Sequence, residues 1–362
     1  MKNNWKRWLI FPALLPFFSW MEAKTLEENQ IQQSLDTIEY QVFVAVDKAG
    51  VKHWGGKEAY QAKLNAFFDQ VNDFWNKAGN GRFNYYFRYI PDLQVIYNCS
   101  SRQLEKIYQK SAGFPNHDVL LIIDSILDFD DEESAKGWYC GGGTDDLNMV
   151  ICRSRSKTEH EDLFGIDYFH RGVAHEFGHY RGVTDLYADR IRAKNNPVNH
   201  IEYEPDSCVM NSHYKAYKWS SYAVHIINHT AKSKRPRRDF DGFFKQMFPE
   251  NIQVSVKVKG KKQKGVKLNL YGSRAKFNDL IATPYRTYET DKKGECLITG
   301  VPNLYDSPAP PLHTDELPYN RWFTFLLEAE YKGEKKYVWL PEYEVQQAFF
   351  ENKDTYQVTI DF

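Results

Sequence analysis

The segment His175-Glu176-Phe177-Gly178-His179-Tyr180-Arg181-Gly182-Val183-Thr184-Asp185 decides how the rest of this 362-residue chain is read. Two histidines at i and i+4 stand one turn apart on one helix face. Their imidazoles can grip a single metal ion, and imidazole nitrogen favours zinc among the common metals. Glu176 is rotated by about 100° from His175, so it is poorly placed to join the same ligand face. It can instead take a proton from a water on the metal. Zinc needs a third protein ligand and an open fourth position. Gly182 can take the left-handed conformation that ends a helix and turns the chain. Three residues later, Asp185 can return a carboxylate oxygen to the metal. The metal-ligand candidates are therefore His175, His179 and Asp185, the catalytic base is Glu176, and the chemistry is metal-assisted peptide hydrolysis.

Working outward, the motif lies on a helix expected over about 167–181. Upstream, Tyr40, Val42, Val44 and Val46 alternate as a strand over 39–47. A long helix over 56–78 carries Tyr60, Leu64, Phe67, Phe68, Val71 and Phe74 on one stripe, and Asn80-Gly81 ends it. Phe83 to Tyr97 is strand-rich and reads as interrupted near Pro91. A short helix follows from Ser100 or Ser101 to 110. Val119–Ile123 is a continuous apolar run of the kind found in a buried central strand. Met149–Cys152 reads as a further strand, after a flexible Gly141–Gly143 loop. The order predicts a mixed α/β domain over 24–250. Within it, Asn148–Arg155 is the expected sheet edge for pairing with an extended peptide.

Downstream, a helix near 219–231 carries a second i, i+4 pair, His225 and His229. Apolar neighbours surround them and no acid follows His225, so the pair reads as structural. Asp189, Glu202, Glu204 and Asp206 offer oxygens of the kind calcium takes, but nothing orders them into a loop motif. The basic run Lys232–Arg238 reads as a solvated linker. From 251 the period changes to two: Ile252, Val254, Val256 and Val258, then Val266, Leu268 and Leu270, with a turn at Asp291–Gly294. An all-β sandwich over 251–362 is expected, separable from the first domain, so that its deletion would spare cleavage of a short peptide.

Charge is balanced, with 47 Lys+Arg against 48 Asp+Glu, which excludes the basic excess of a nucleic-acid binder. Residues 1–23 have the layout of a secretory signal peptide: Lys2, Lys6 and Arg7, an apolar run broken by Pro12 and Pro16, and Glu22-Ala23 at the cleavage point. No later apolar stretch is long enough to span a bilayer. The reading is an exported protein, extracellular or periplasmic, in which disulfides are allowed. Among Cys99, Cys140, Cys152, Cys208 and Cys296, the pairing Cys140–Cys152 is favoured by the short glycine-containing loop between them.

His-Glu-x-x-His-x-x-Gly-x-x-Asp resembles the metzincin zinc signature in its aspartate variant, as in snapalysin-type enzymes. The resemblance implies one catalytic zinc ion, endopeptidase activity on a protein or peptide substrate, and a methionine turn beneath the metal. Cys208-Val209-Met210-Asn211 stands where that turn is expected, which makes Met210 a structural floor. Several metzincins place an oxyanion-assisting tyrosine two residues after the methionine. This chain has Ser212 there, and Tyr214 is the nearest tyrosine. Thr290 to Pro302 resembles the prealbumin-like sandwich appended to many secreted peptidases. The rival reading is an adhesion or binding protein, whose sandwich recognises a host or glycan partner and whose zinc site is structural or degenerate.

Overall fold

A computed structural model of the chain describes residues 35–99, 101–109, 116–124, 138–142, 149–154, 164, 167–212, 215–236, 243, 245–274, 279–306 and 321–362. The first half runs β1 (Thr37–Asp47), α1 (Lys48–His53), α2 (Lys57–Ala78), β2 (Tyr86–Tyr97), α3 (Ser101–Gln109), β3 (Val119–Asp124), β4 (Trp138–Gly142), β5 (Met149–Ser154) and α4 (Phe169–Tyr180). Among the described residues, five strands form one sheet in the order β2-β1-β3-β5-β4. The neighbours are parallel except β4, which runs antiparallel to β5. Every residue of β3 is buried, as its unbroken apolar run requires.

Two expectations change here. Pro91 does not interrupt its strand. It lies within β2, which is the sheet's outer strand, where a missing backbone donor costs no ladder bond; the irregularity is a register shift nearby. The stretch 148–155 is not the sheet edge either, because β4 flanks β5 and takes the outside position.

The other edge is closed by α2. The Asn76 side-chain amide donates to the Phe87 carbonyl and its oxygen accepts from the Phe87 amide, at 2.8 and 2.9 Å. Asn72 does the same for Tyr89, and Gln61 accepts from Leu93. Side-chain amides thus occupy the hydrogen bonds that a further strand would use. On the same helix Tyr60, Leu64, Phe67, Phe68, Val71 and Trp75 are buried in the domain core.

Beyond α4 come α5 (Val209–Ser212) and α6 (Ser221–Thr230). Then follow β6 (Asn251–Val258), β7 (Lys261–Lys262), β8 (Lys267–Arg274), β9 (Asp279–Leu280), β10 (Arg286–Glu289), β11 (Glu295–Thr299), α7 (Val301–Asp306), β12 (Thr324–Tyr331), β13 (Glu334–Pro341), α8 (Glu342–Phe350) and β14 (Thr355–Asp361). Two sheets result, β10-β8-β12-β13 with β9 beside β8, and β11-β6-β14 with β7 beside β6. The alternating residues Ile252, Val254, Val256, Leu268, Leu270, Phe325 and Leu327 fill the space between them. The chain is a mixed α/β domain followed by a β-rich one. The second carries two helices, α7 and α8, that period-two reading does not reveal.

The second domain is packed onto the first. Tyr343 on α8 belongs to the core of the α/β domain, with Phe349 and Phe350 against it. Ile191 shares a small apolar cluster with Tyr271, Leu280 and Leu326. Cys152 is disulfide-bonded, Cys99, Cys208 and Cys296 are free thiols, and strand register sets residue 140 opposite Cys152. Among the described residues, no helix is long and apolar enough to cross a membrane. The signal-peptide segment 1–23 lies outside the described residues.

Candidate active site

Helix α4 presents His175 and His179 with ring centroids 4.9 Å apart and planes at 89°. Each Nδ1 sits 2.9 Å from a backbone carbonyl, Val209 for His175 and Val183 for His179. A carbonyl only accepts, so each Nδ1 carries a proton and each Nε2 is the nitrogen left to face the cluster. Those Nε2 atoms converge on Asp185. Its Oδ1 is buried and lies 3.2 Å from His175 Nε2 and 3.0 Å from His179 Nε2.

A turn after α4 carries Asp185 to the two histidines. Helix α4 stops at Arg181, and Gly182 has φ +95°, a conformation that strains any residue with a Cβ. A Cβ there would also meet the Phe243 ring at 2.3 Å. Gly178 serves a second close approach. A Cβ on it would fall 2.7 Å from Met210 Sδ, so the missing side chain is what lets α5 sit under α4. Met210 is fully buried there, and α5 supplies the Val209 carbonyl that orients His175.

Glu176 lies beside the cluster, with Oε1 3.9 Å from His175 Nε2. One ligand-type atom from each of His175, Glu176 and His179 lies within 4.8 Å of the others. Glu176 is buried, and Oε2 has no hydrogen-bond partner. Burial raises its pKa above the usual carboxylate value, only partly opposed by the two histidines. Asp185 goes the other way. Burial alone would raise its pKa, but His179 and His175 hold it well below the usual carboxylate range.

Several residues in and around the cluster were not anticipated. Tyr187 donates its hydroxyl to Asp185 Oδ2 at 2.7 Å, and its ring lies parallel to that of His175. This leaves Oδ1 as the oxygen that faces the histidines. Tyr187 is two residues past the motif, near enough for a longer pattern to have caught it. The segment bearing Asp185 is also held from the second domain. Thr184 Oγ1 donates to Glu342 Oε1 at 3.3 Å, Arg321 pairs with Glu342, and Thr324 donates to Asp189 Oδ1 at 2.7 Å. No local signal marks these partners.

The remaining candidates separate from the cluster. His225 and His229 face the Phe350 ring, and His229 also Phe349. Asp189 is committed to Thr324, and Glu204 pairs with Arg190 at 2.7 Å. Glu202 accepts from the Ala193 amide. Tyr214 lies outside the described residues.

No protein-family model matches the chain, and no curated protein matches it. Among solved structures, the fold search finds a catalytically inactive OgpA from Akkermansia muciniphila in complex with an O-glycopeptide substrate, glycodrosocin. Identity is 10%, coverage is 85% of this chain and 93% of that one, and the TM-score is 0.34.

Proposed function

We propose that this chain is an exported zinc-dependent endopeptidase of metzincin type. One observation carries the reading. Nε2 of His175 and of His179 lie 3.2 and 3.0 Å from one carboxylate oxygen of Asp185, a convergent donor set of the kind a cation collects. The donor set of two imidazoles and one carboxylate suits zinc with one position left open. Ligand separations of 3.0 and 3.2 Å lie close to the roughly 3.3 Å edge of a tetrahedron with metal bonds of about 2.0–2.1 Å.

His175, His179 and Asp185 would hold the ion. Bound there, zinc supplies Lewis acidity, which lowers the pKa of water and polarises a carbonyl. The work of this chain's own residues is then proton transfer and orientation. Glu176 accepts the proton of the attacking water and delivers it to the leaving amine. Its buried position beside His175, with Oε2 unpartnered, places it to hold a proton between the two steps. Tyr187 holds Asp185 Oδ2, which leaves Oδ1 turned toward the two histidines. The intact, buried Glu176 argues against a degenerate scaffold. An outer strand at β4 offers the backbone groups that an extended peptide can pair with.

The test is casein turnover by the purified protein with and without a chelator, together with metal content by mass spectrometry. Zinc near one equivalent, and turnover that the chelator stops and zinc restores, is the expected result. A zinc-loaded protein inert on casein and on a broad panel of peptides and O-glycopeptides would sink the peptidase reading.

A further inference from the structure

Arg171 is left over by this account. It is only 3% exposed, yet its Nε and Nη1 have no hydrogen-bond partner. Among the described residues the acid it pairs with is Asp167, 3.7 Å from Nη2 with a side chain 96% exposed, a distance and a setting that give little. It also stands in the first turn of α4, where no acidic residue is present and the helix dipole disfavours a cation. Burying a guanidinium in this way is costly unless an anion completes it.

Position gives the burial a purpose. Arg171 precedes His175 by four residues, on the helix stripe that continues through His175 and His179. One turn is about 6 Å, or roughly two residues of an extended peptide. The guanidinium lies under the Tyr217 ring at 4.6 Å, and that ring is 69% exposed, so the cover over Arg171 is a surface side chain. Arg181 on the same segment shows the contrast. It too has an unpartnered Nε and Nη1, but its Nη2 donates to the Thr230 and Ser233 carbonyls and the buried Tyr40 and Tyr180 rings stack on it.

We infer that Arg171 is a specificity residue that receives a carboxylate carried by the substrate within about two residues of the scissile bond. A planar carboxylate matches one edge of the guanidinium, Nε with Nη2 or Nη1 with Nη2, and would give one orphan nitrogen its partner beneath Tyr217. The inference rests on the peptidase reading and names the substrate class for it: peptides acidic beside the cleaved bond. The carboxylate can come from a Glu or Asp side chain or from a free peptide C-terminus.

The experiment takes one cleaved peptide and places Glu or Gln in turn at each position flanking the scissile bond. A second series compares free-acid and amidated ends. The parent protein should favour the acid at one position, or the free end, by about tenfold to a hundredfold in kcat/KM, the worth of a charge-assisted hydrogen bond. Arg171→Met should bring that ratio close to one while zinc content stays at the parent level. Arg171→Lys, which keeps the charge but not the fork, should fall between them and serves if the Met variant does not fold. Binding of the same peptides to Glu176→Ala protein should show the same preference without turnover. A parent ratio near one at every position and at both ends, or an unchanged ratio in Arg171→Met, overturns the inference. Chelator-sensitive cleavage of neutral peptides alongside that result would leave the peptidase reading standing.

Discussion

His175 and His179 are oriented by carbonyls 34 and 4 residues away in sequence, whereas the Asp185 segment is pinned by side chains 158 residues from Thr184 and 135 residues from Asp189. The same cluster is thus held by two different means. The helix side is self-sufficient, because α4 fixes the spacing of its own side chains and α5 lies directly beneath it. The aspartate side hangs on a turn after Gly182 and borrows its rigidity from β12 and α8. A ligand on a regular helix is placed by its own backbone, but a ligand on a loop must be braced by whatever packs against that loop.

The most severe break is on the helix side. On the proposed mechanism, in which the residue acts on water rather than on the ion, Glu176→Ala should lower kcat by about 10²–10⁴ while zinc stays bound. Parental turnover by the zinc-loaded variant would remove Glu176 from the mechanism.

On the braced side, Glu342→Ala should weaken zinc affinity by about 10–100-fold, the usual effect of losing an outer-shell contact. It should also destabilise the fold, by up to about 3–5 kcal/mol, because Arg321 would lose the buried Glu342 carboxylate it pairs with. Competition with a chromophoric chelator, at a temperature where the variant is folded, separates the two effects. By the same logic, deleting 251–362 should cost zinc affinity and short-peptide cleavage together, since it removes Thr324, Glu342 and the Tyr343 that completes the first core. A truncated protein that is soluble, zinc-loaded and active would mean that the brace is dispensable.

Tyr187→Phe should have a smaller effect, about tenfold or less on zinc affinity, because the residue is half exposed and water can replace its hydroxyl on Asp185. An unchanged affinity would show that the Asp185 loop is oriented by the domain seam alone.

The seam should also respond to pH. Burial, and then the neighbouring Glu342, raise the pKa of Asp189 well above its ordinary value, with Thr324 and Arg321 opposing. A carboxyl raised in the folded state contributes stability that is full below its unfolded pKa of about 3.9 and is lost as pH rises through the native value. Melting temperatures of the parent should therefore fall more steeply above the carboxylate range than those of Asp189→Asn. Parallel curves would show that Asp189 ionises freely in the fold.

What the sequence determined by itself was everything encoded at short range. The i, i+4 histidines, the glutamate between them, the glycine exit and the aspartate beyond it follow from helix geometry and one positive φ. They were legible because neighbours along a helix stay neighbours in space. The same holds for the buried run of β3 and for the period-two strands after 251. Tertiary structure decided the rest. It placed β4 outside β5, kept Pro91 inside an edge strand, turned residues 342–350 into a helix and brought Glu342 to Thr184. None of these has a local signature. Strand order depends on which surfaces remain to be covered, and α8 is amphipathic only with respect to a domain that the chain built more than a hundred residues earlier. Arg171 stands between the two cases. Its spacing from His175 is visible in the sequence, but a guanidinium is ordinary at a helix surface. Only packing reveals that this one is buried with two of its nitrogens unpartnered.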